Sequence, residues 1–377
     1  MQLSWLPKAA LLAGLASAVA ADSSNSTSAS SSGANCITIR HNFNNTNRIA
    51  SVAAGNQIFP PPGLDYTAYD WTIDYGMNNI FFGATGGVMI KLNSTKALSG
   101  GDMLYPGGRM STTRQMLYGR FSAKIKCSAV AGVLTTFITM SQVKDEIDWE
   151  MIGAQPTQGQ SNVFYKGIQE FGKFGGVHTI PQAPQVSPTF SDYHVFTIDW
   201  KPDSITWLID NVVVRTYSIN DPLALSSTLE ASTPYAGQPW FPNTPSLIQF
   251  SVWDGGDSST SGVSTWAGGP VSASKCGTNF ENCAAIYEWV DIQCYDGQGN
   301  EVAAWPPNTL PNGKDGTGPA WGSSAINTAV GAPPPSVVQA VSQNKTTASS
   351  KSAGAHVSAS GLALGLAALL AVFSQAL

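Results

Sequence analysis

The stretch YHVFTIDWKPDSITWLIDNVVVR, residues 193–215, carries the pattern that decides the fold. Side chains of an extended strand alternate between its faces, so His194, Phe196, Ile198 and Trp200 share one side of the run from Tyr193 to Trp200. Lys201-Pro202-Asp203-Ser204 has the composition of a turn and leads into Ile205-Thr206-Trp207-Leu208-Ile209. Asp210-Asn211 then suits a two-residue hairpin turn into Val212-Val213-Val214-Arg215. Three consecutive antiparallel strands result, and such a meander packs as one sheet of a sandwich.

The same texture extends outward. Residues 36–305 contain short β-type runs separated by Gly, Pro, Asn and Asp and no helix-period run of useful length, which predicts one all-β domain. In 285–294 alternation sets Ile286, Glu288, Val290 and Ile292 against Tyr287, Trp289 and Asp291, as expected of one of the last strands. In 247–254 it puts Ile248, Phe250 and Val252 on an apolar face and Gln249, Ser251 and Trp253 on the other. A length of 377 residues would accommodate two or three average domains, but one all-β unit with appended segments fits equally. Only 11% of residues are charged and the net charge is −5, so no electrostatic footprint for nucleic acid exists. The 37 glycines, 11 tryptophans and abundant uncharged polar residues suit contact with a neutral polymer such as polysaccharide.

Both ends read as address labels. Residues 1–21 carry Lys8, a small apolar run and Ala18-Val19-Ala20, the form of a secretory signal and its cleavage site. Residues 22–35 are Ser/Thr-rich, and 306–354 form a Pro/Ser/Ala-rich linker; both compositions resist packing into a core. Residues 355–377 end in an apolar run from Leu362, shorter than the ~20 residues of a membrane span and preceded by small residues. That arrangement predicts a propeptide exchanged for a glycosylphosphatidylinositol anchor, with a tail-anchor helix as the alternative. Sequons at Asn25, Asn44, Asn93 and Asn344 agree with a secretory route, and an anchor of that kind would hold the protein at the outer face of the plasma membrane.

Five cysteines on that route would be oxidised, leaving one over. Cys276 and Cys283 are close enough to close a small loop; the remaining connectivity is open. No C-x-x-C or histidine cluster points to zinc, and neither a metal nor a cofactor is expected.

The chemistry is concentrated in Asp145-Glu146-Ile147-Asp148-Trp149-Glu150-Met151. On a strand, Glu146, Asp148 and Glu150 face one way and Ile147, Trp149 and Met151 the other. Three like charges in a row repel and raise one another's pKa, a cost that argues for function. Glycoside hydrolysis needs such a set, one carboxylate to attack the anomeric carbon and one acid to protonate the leaving oxygen. The alternatives are a solvated acidic strand or a calcium site. Trp149 points away from the carboxylates and is assigned to the core.

Asp145-Glu146-Ile147-Asp148-Trp149-Glu150, followed by Gln160-Ser161-Asn162-Val163-Phe164 and the 193–207 hairpin, resembles glycoside hydrolase family 16. With Trp253-Asp254-Gly255-Gly256-Asp257 and Trp266-Ala267-Gly268-Gly269, it is similar to the fungal Crh-type enzymes that cross-link chitin to β-glucan. The resemblance implies a concanavalin-like jelly-roll sandwich of two antiparallel sheets with a concave glycan-binding cleft. It implies a retaining reaction with Glu146 as nucleophile, Asp148 as helper carboxylate and Glu150 as acid/base, on a strand without a bulge. The expected partners are cell-wall polysaccharides and, through the anchor, the membrane; a monomer is expected.

Gln160 and Asn162, on one face of their strand, and Gln249, Trp253 and Trp266 are the candidate substrate-binding residues. Gln160 and Asn162 read alternatively as ordinary polar strand residues. Trp266 is placed in a Gly-rich loop, where a large ring must pack or bind, and Trp253 is the stronger stacking candidate. A lectin on the same sandwich would keep the aromatics without needing both glutamates, and a β-glucan endohydrolase would share every catalytic residue. The spacing in Gly167-to-Lys173 mimics a phosphate loop, but Phe174 stands where magnesium needs Ser or Thr. His194 is assigned to the core and His178 to a surface loop.

Overall fold

The computed structural model describes residues 36–51, 69–167, 174–225 and 238–305. In chain order its first strands are β1 (Cys36–Ile37), β2 (Ile39–His41), β3 (Ile49–Ser51), β4 (Trp71–Tyr75), β5 (Ile80–Phe82), β6 (Val88–Lys91), β7 (Ala97–Ser99) and β8 (Asp102–Leu104). Next come β9 (Gly108–Thr112), β10 (Gly119–Lys126), β11 (Val133–Ser141), β12 (Glu146–Ile152), β13 (Gln158–Phe164) and β14 (Gly176–Thr179). The last are β15 (His194–Trp200), β16 (Ser204–Ile209), β17 (Val212–Ser218), β18 (Ser246–Asp254), β19 (Ala284–Tyr295), β20 (Glu301–Val302) and β21 (Ala304–Trp305). Two short helices, α1 (Pro222–Leu225) and α2 (Ser261–Ala267), interrupt the strands.

The meander forms as its alternation requires. β15 pairs antiparallel with β16 and β16 with β17. Asp210 and Asn211 both adopt positive φ, 50° and 65°, the backbone of a tight hairpin turn whose twist matches that of the strands. His194, Phe196, Ile198 and Trp200 are buried together, and the His194 Nδ1 lies 2.7 Å from Asp210 Oδ2.

The strands assemble into the expected jelly-roll sandwich. A nine-stranded sheet runs β17-β16-β15-β10-β19-β6-β5 with β2 and β20 also on β19, and an eight-stranded sheet runs β14-β13-β12-β11-β18-β9-β4-β3. All pairs are antiparallel except β3–β4. The core lies between the sheets, where Ile147, Trp149 and Met151 of β12 and Ile248, Phe250 and Val252 of β18 meet Phe121, Phe196, Ile198 and Tyr287. Burial this complete stabilises by roughly 2–3 kcal/mol for each large apolar side chain.

Two indole groups fix β12 to the sheet behind it. Trp149 Nε1 donates to the Thr197 carbonyl at 2.9 Å, and Trp207 Nε1 donates to the Asp148 carbonyl at 2.8 Å. Trp149 is therefore core, as alternation placed it, and its polar edge is satisfied rather than buried bare.

Two expectations are corrected. In β19 the alternation read from sequence holds for Val290 and Ile292 but not for its first half. Lys124 pairs with Trp289 and Ile125 with Tyr287, leaving Glu288 as the extra residue of a β-bulge. The bulge shifts the parity, so Tyr287 rather than Ile286 enters the core. His178 sits on the edge strand β14, not in a loop, with Nε2 2.8 Å from Ser161 Oγ and its ring edge-on to Trp149.

Cys276 and Cys283 are bridged, as their spacing suggested, and a second disulfide joins Cys36 to Cys294; Cys127 is free and buried. The segments expected to be leader, Ser/Thr-rich stretch, linker and anchor signal, and residues 168–173 of the phosphate-loop mimic, lie outside the described residues.

Candidate active site

Directly opposed residues of an antiparallel sheet point to the same side, so strand register builds the site row by row. One row runs Asn162, Asp148, Ile138, Gln249, Ser111, Thr72 across β13, β12, β11, β18, β9 and β4. The next runs Gln160, Glu150, Thr136, Ser251, Arg109, Tyr75. A third holds Phe164, Glu146, Met140 and Leu247, and a fourth Ile152, Leu134 and Trp253. The face turned away from the core is thus polar in its middle, with Glu146, Asp148 and Glu150 together upon it. β12 pairs on both sides without a register shift, so the carboxylates keep strict alternation and the strand lacks a bulge.

Burial and mutual charge set the protonation of the three carboxyls. Glu146 and Asp148 are almost inaccessible, and burial is the largest effect raising the pKa of each. The remaining influences separate them. For Glu146, the charge of Glu150 adds to the rise, but a hydrogen bond from Asp148 and the cations Arg109 and Lys144 favour its ionised form. For Asp148, the charges of Glu146 and Glu150 and the bond it donates to Glu146 all favour the protonated form. Asp148 Oδ1 also has no hydrogen-bond partner, which a buried carboxylate would tolerate poorly. Between the two, these influences favour the proton on Asp148 over Glu146. Burial pushes Glu150 up to about 7, so it carries a proton through mildly acid conditions.

Two side chains that alternation alone does not single out support this set. Asp145, with no exposed surface, accepts from the Lys166, Asn243 and Thr244 backbone N–H groups at 2.9, 2.9 and 3.0 Å, from Thr244 Oγ1 at 2.6 Å and from Lys166 Nζ at 3.1 Å. It ties the ends of β13 and β18 to the entry of β12, beside Glu146. Arg109 donates from Nε to Asp74 Oδ2 at 2.9 Å, and Asp74 also accepts from Thr72 Oγ1 at 2.8 Å and from Ser111 Oγ. The only trace of Arg109 in the sequence is a lone charge within the β-type run Gly108–Thr112.

The candidate binding residues divide. Gln160 and Asn162 stand beside Glu150 and Asp148. Gln160 is committed, its Oε1 accepting from Trp266 Nε1 at 2.9 Å and its Nε2 donating to Gln155 Oε1 at 3.0 Å. Gln249 is fully buried and donates to Ser111 Oγ at 2.9 Å, so it braces the Asp74–Arg109 network rather than meeting a sugar. Trp266 lies not in a loop but in α2, which packs across the fourth row. That helix roofs Trp253, leaving it 9% exposed among Leu134, Ile152, Val263 and Ala267. Trp266 is only half-buried, its ring centroid 6.2 Å from that of Trp253. Burial thus reverses the order of the two rings: Trp266 presents the accessible surface and Trp253 is its support.

Residues 67–268 match the profile of glycosyl hydrolases family 16. Crh-like protein 3 of Botryotinia fuckeliana is 39% identical over 192 residues, covering 50% of this chain and 40% of that protein. Congo red hypersensitive protein 2 of Saccharomyces cerevisiae is 36% identical over 193 residues, covering 50% and 38%. The chain therefore aligns with about two-fifths of the length of these relatives. An apo Crh5 transglycosylase of known structure is 25% identical and aligns over 66% of this chain and 92% of that one, with a TM-score of 0.47.

Proposed function

The chain belongs to glycosyl hydrolases family 16, and from that membership we propose that it is a retaining cell-wall transglycosylase acting on chitin and β-glucan. The observation that carries the reading is the arrangement on β12: Glu146, Asp148 and Glu150 share one face of a strand paired on both sides without a bulge, Asp148 is bonded to Glu146, and burial lifts Glu150 to about 7. A double displacement needs such a set: a carboxylate to attack, a neighbour bonded to it, and an acid able to give a proton near neutrality.

In the first step a Glu146 carboxylate oxygen attacks the anomeric carbon and forms an ester, while the bond to the leaving sugar breaks. Glu150 gives its proton to the departing oxygen. In the second step Glu150, now a carboxylate, takes the proton of an acceptor hydroxyl as that oxygen attacks the same carbon and releases Glu146. Asp148 holds Glu146 in place, and its hydrogen bond steadies the Glu146 carboxylate before attack and again as that carboxylate is released. Gln160 and Asn162 flank the reacting bond, and Trp266 offers the apolar surface on which a sugar ring stacks. An acceptor must outcompete water at ~55 M, so transfer depends on a wall that orients the incoming sugar.

The same reading assigns residues 1–21 to a secretory signal, 22–35 and 306–354 to unpacked segments, 36–305 to the catalytic domain and 355–377 to an anchor propeptide. It places a monomeric enzyme at the cell wall, held to the membrane by a lipid. The two disulfides agree with an oxidising route. Incubating the secreted protein with a chitin oligosaccharide and a labelled β-glucan oligosaccharide should yield labelled hybrids detectable by mass spectrometry. Cleavage products alone would assign the chain to hydrolysis instead.

A further inference from the structure

Trp266 is held by a segment, residues 255–271, that returns across the sheet after β18. Its main chain is closely fitted: Gly255 and Gly256 N–H donate to the Gly132 carbonyl at 3.0 and 3.1 Å, and Gly132 N–H donates to the Ala267 carbonyl at 2.8 Å. A Cβ on Gly256 would lie 2.1 Å from the Gly269 oxygen, so the backbone there admits no side chain. One side of the segment is tied to the carboxylate strand pair through the chain Gln155, Gln160, Trp266.

The other side is tied by charge. Asp257 accepts from Lys96 Nζ at 2.7 Å and from Val271 N–H at 3.3 Å, bridging both ends of the segment. Asp254, the last residue of β18, accepts from Tyr105 N–H at 3.0 Å and Asp257 N–H at 3.1 Å. Lys96 also lies 4.8 Å over the Tyr105 ring. Lys96 and Tyr105 flank the hairpin β7–β8, so that hairpin is fastened to the segment carrying Trp266. Burial raises Asp254 to about 7, and it donates to Asp257 in its protonated form, which lets two neighbouring carboxyls share the latch.

We propose that Lys96 and Asp257 are positioning residues, latching 255–271 so that Trp266 stands in place for the glycan and thereby setting glycan affinity. The inference rests on the proposed function for its ligand. A partly exposed ion pair supplies a modest bias, which shows as affinity and not as loss of chemistry.

Lys96→Met should raise KM for β-glucan oligosaccharide about 5-fold with kcat retained. Lys96→Arg, which keeps the donor and the charge, should restore KM. Trp266→Ala should raise KM about 10-fold, and adding Lys96→Met to it should change little further, because the latch acts through that ring. Independently of turnover, amide hydrogen exchange of 255–271 should quicken in Lys96→Met. Unchanged exchange, or KM effects of Lys96→Met and Trp266→Ala that simply multiply, would overturn the latch. Faster exchange in a protein whose wild type neither cleaves nor transfers glycan would instead overturn the functional reading.

Discussion

Glu146→Gln is expected to lower glycan turnover by about 10⁴-fold or more while leaving the fold intact. The amide fills the volume of the carboxylate and still accepts the Asp148 bond through its oxygen, but it carries no charge with which to attack an anomeric carbon. Its stability should not suffer, since the substitution removes a charge from a buried site where burial already disfavours it. Thermal melting and steady-state rates on the same preparation check both halves. Activity within 10-fold of the wild type would remove Glu146 from the nucleophile's role.

Glu150→Gln should slow reaction on natural polymer by roughly 10² to 10⁴-fold, the contribution of a positioned proton donor. The loss should shrink on an aryl glycoside whose phenolate leaves unaided. The pH profile carries the sign of the shift. Burial raises the Glu150 pKa to about 7, so the acid form needed for the first step is present below that value and is lost as pH rises through it. Wild-type kcat/KM on polymer should therefore fall across neutrality on the alkaline side, and this limb should be missing from Glu150→Gln. A wild-type profile flat from pH 6 to 8 would contradict the assignment.

Much of this site was legible because a period of two is unforgiving. Once Glu146, Asp148 and Glu150 are written on one strand face, Ile147, Trp149 and Met151 must enter the core, and all three are fully buried. The facing of β18 followed from the same rule. Alternation failed in β19, where the bulge at Glu288 adds a residue opposite β10 that no local pattern announces. It also missed α2: Ser261–Ala267 is a seven-residue helix with Gly, Ser and Thr in its interior, types with little helical preference, and packing on Trp253 and Leu134 stabilises it. Trp253 then lost its exposure to a neighbour that lies close in sequence but was not visible as structure. The Arg109–Asp74 pair spans 35 positions and meets only because β4 and β9 are adjacent, so its support of the site belongs to topology. The help that Arg109 gives the ionised form of Glu146 likewise depends on distances across the fold.

Everything proposed for the chemistry depends on a covalent intermediate, and a covalent intermediate leaves a stereochemical record. Two displacements at one carbon return the configuration with which the substrate began, whereas a single attack by water inverts it. Proton NMR of the new linkage in the transfer product, and of the reducing sugar first formed where water is the acceptor, read before mutarotation, should show the β-configuration at the carbon that reacted, and initial appearance of the α-configuration would contradict the account.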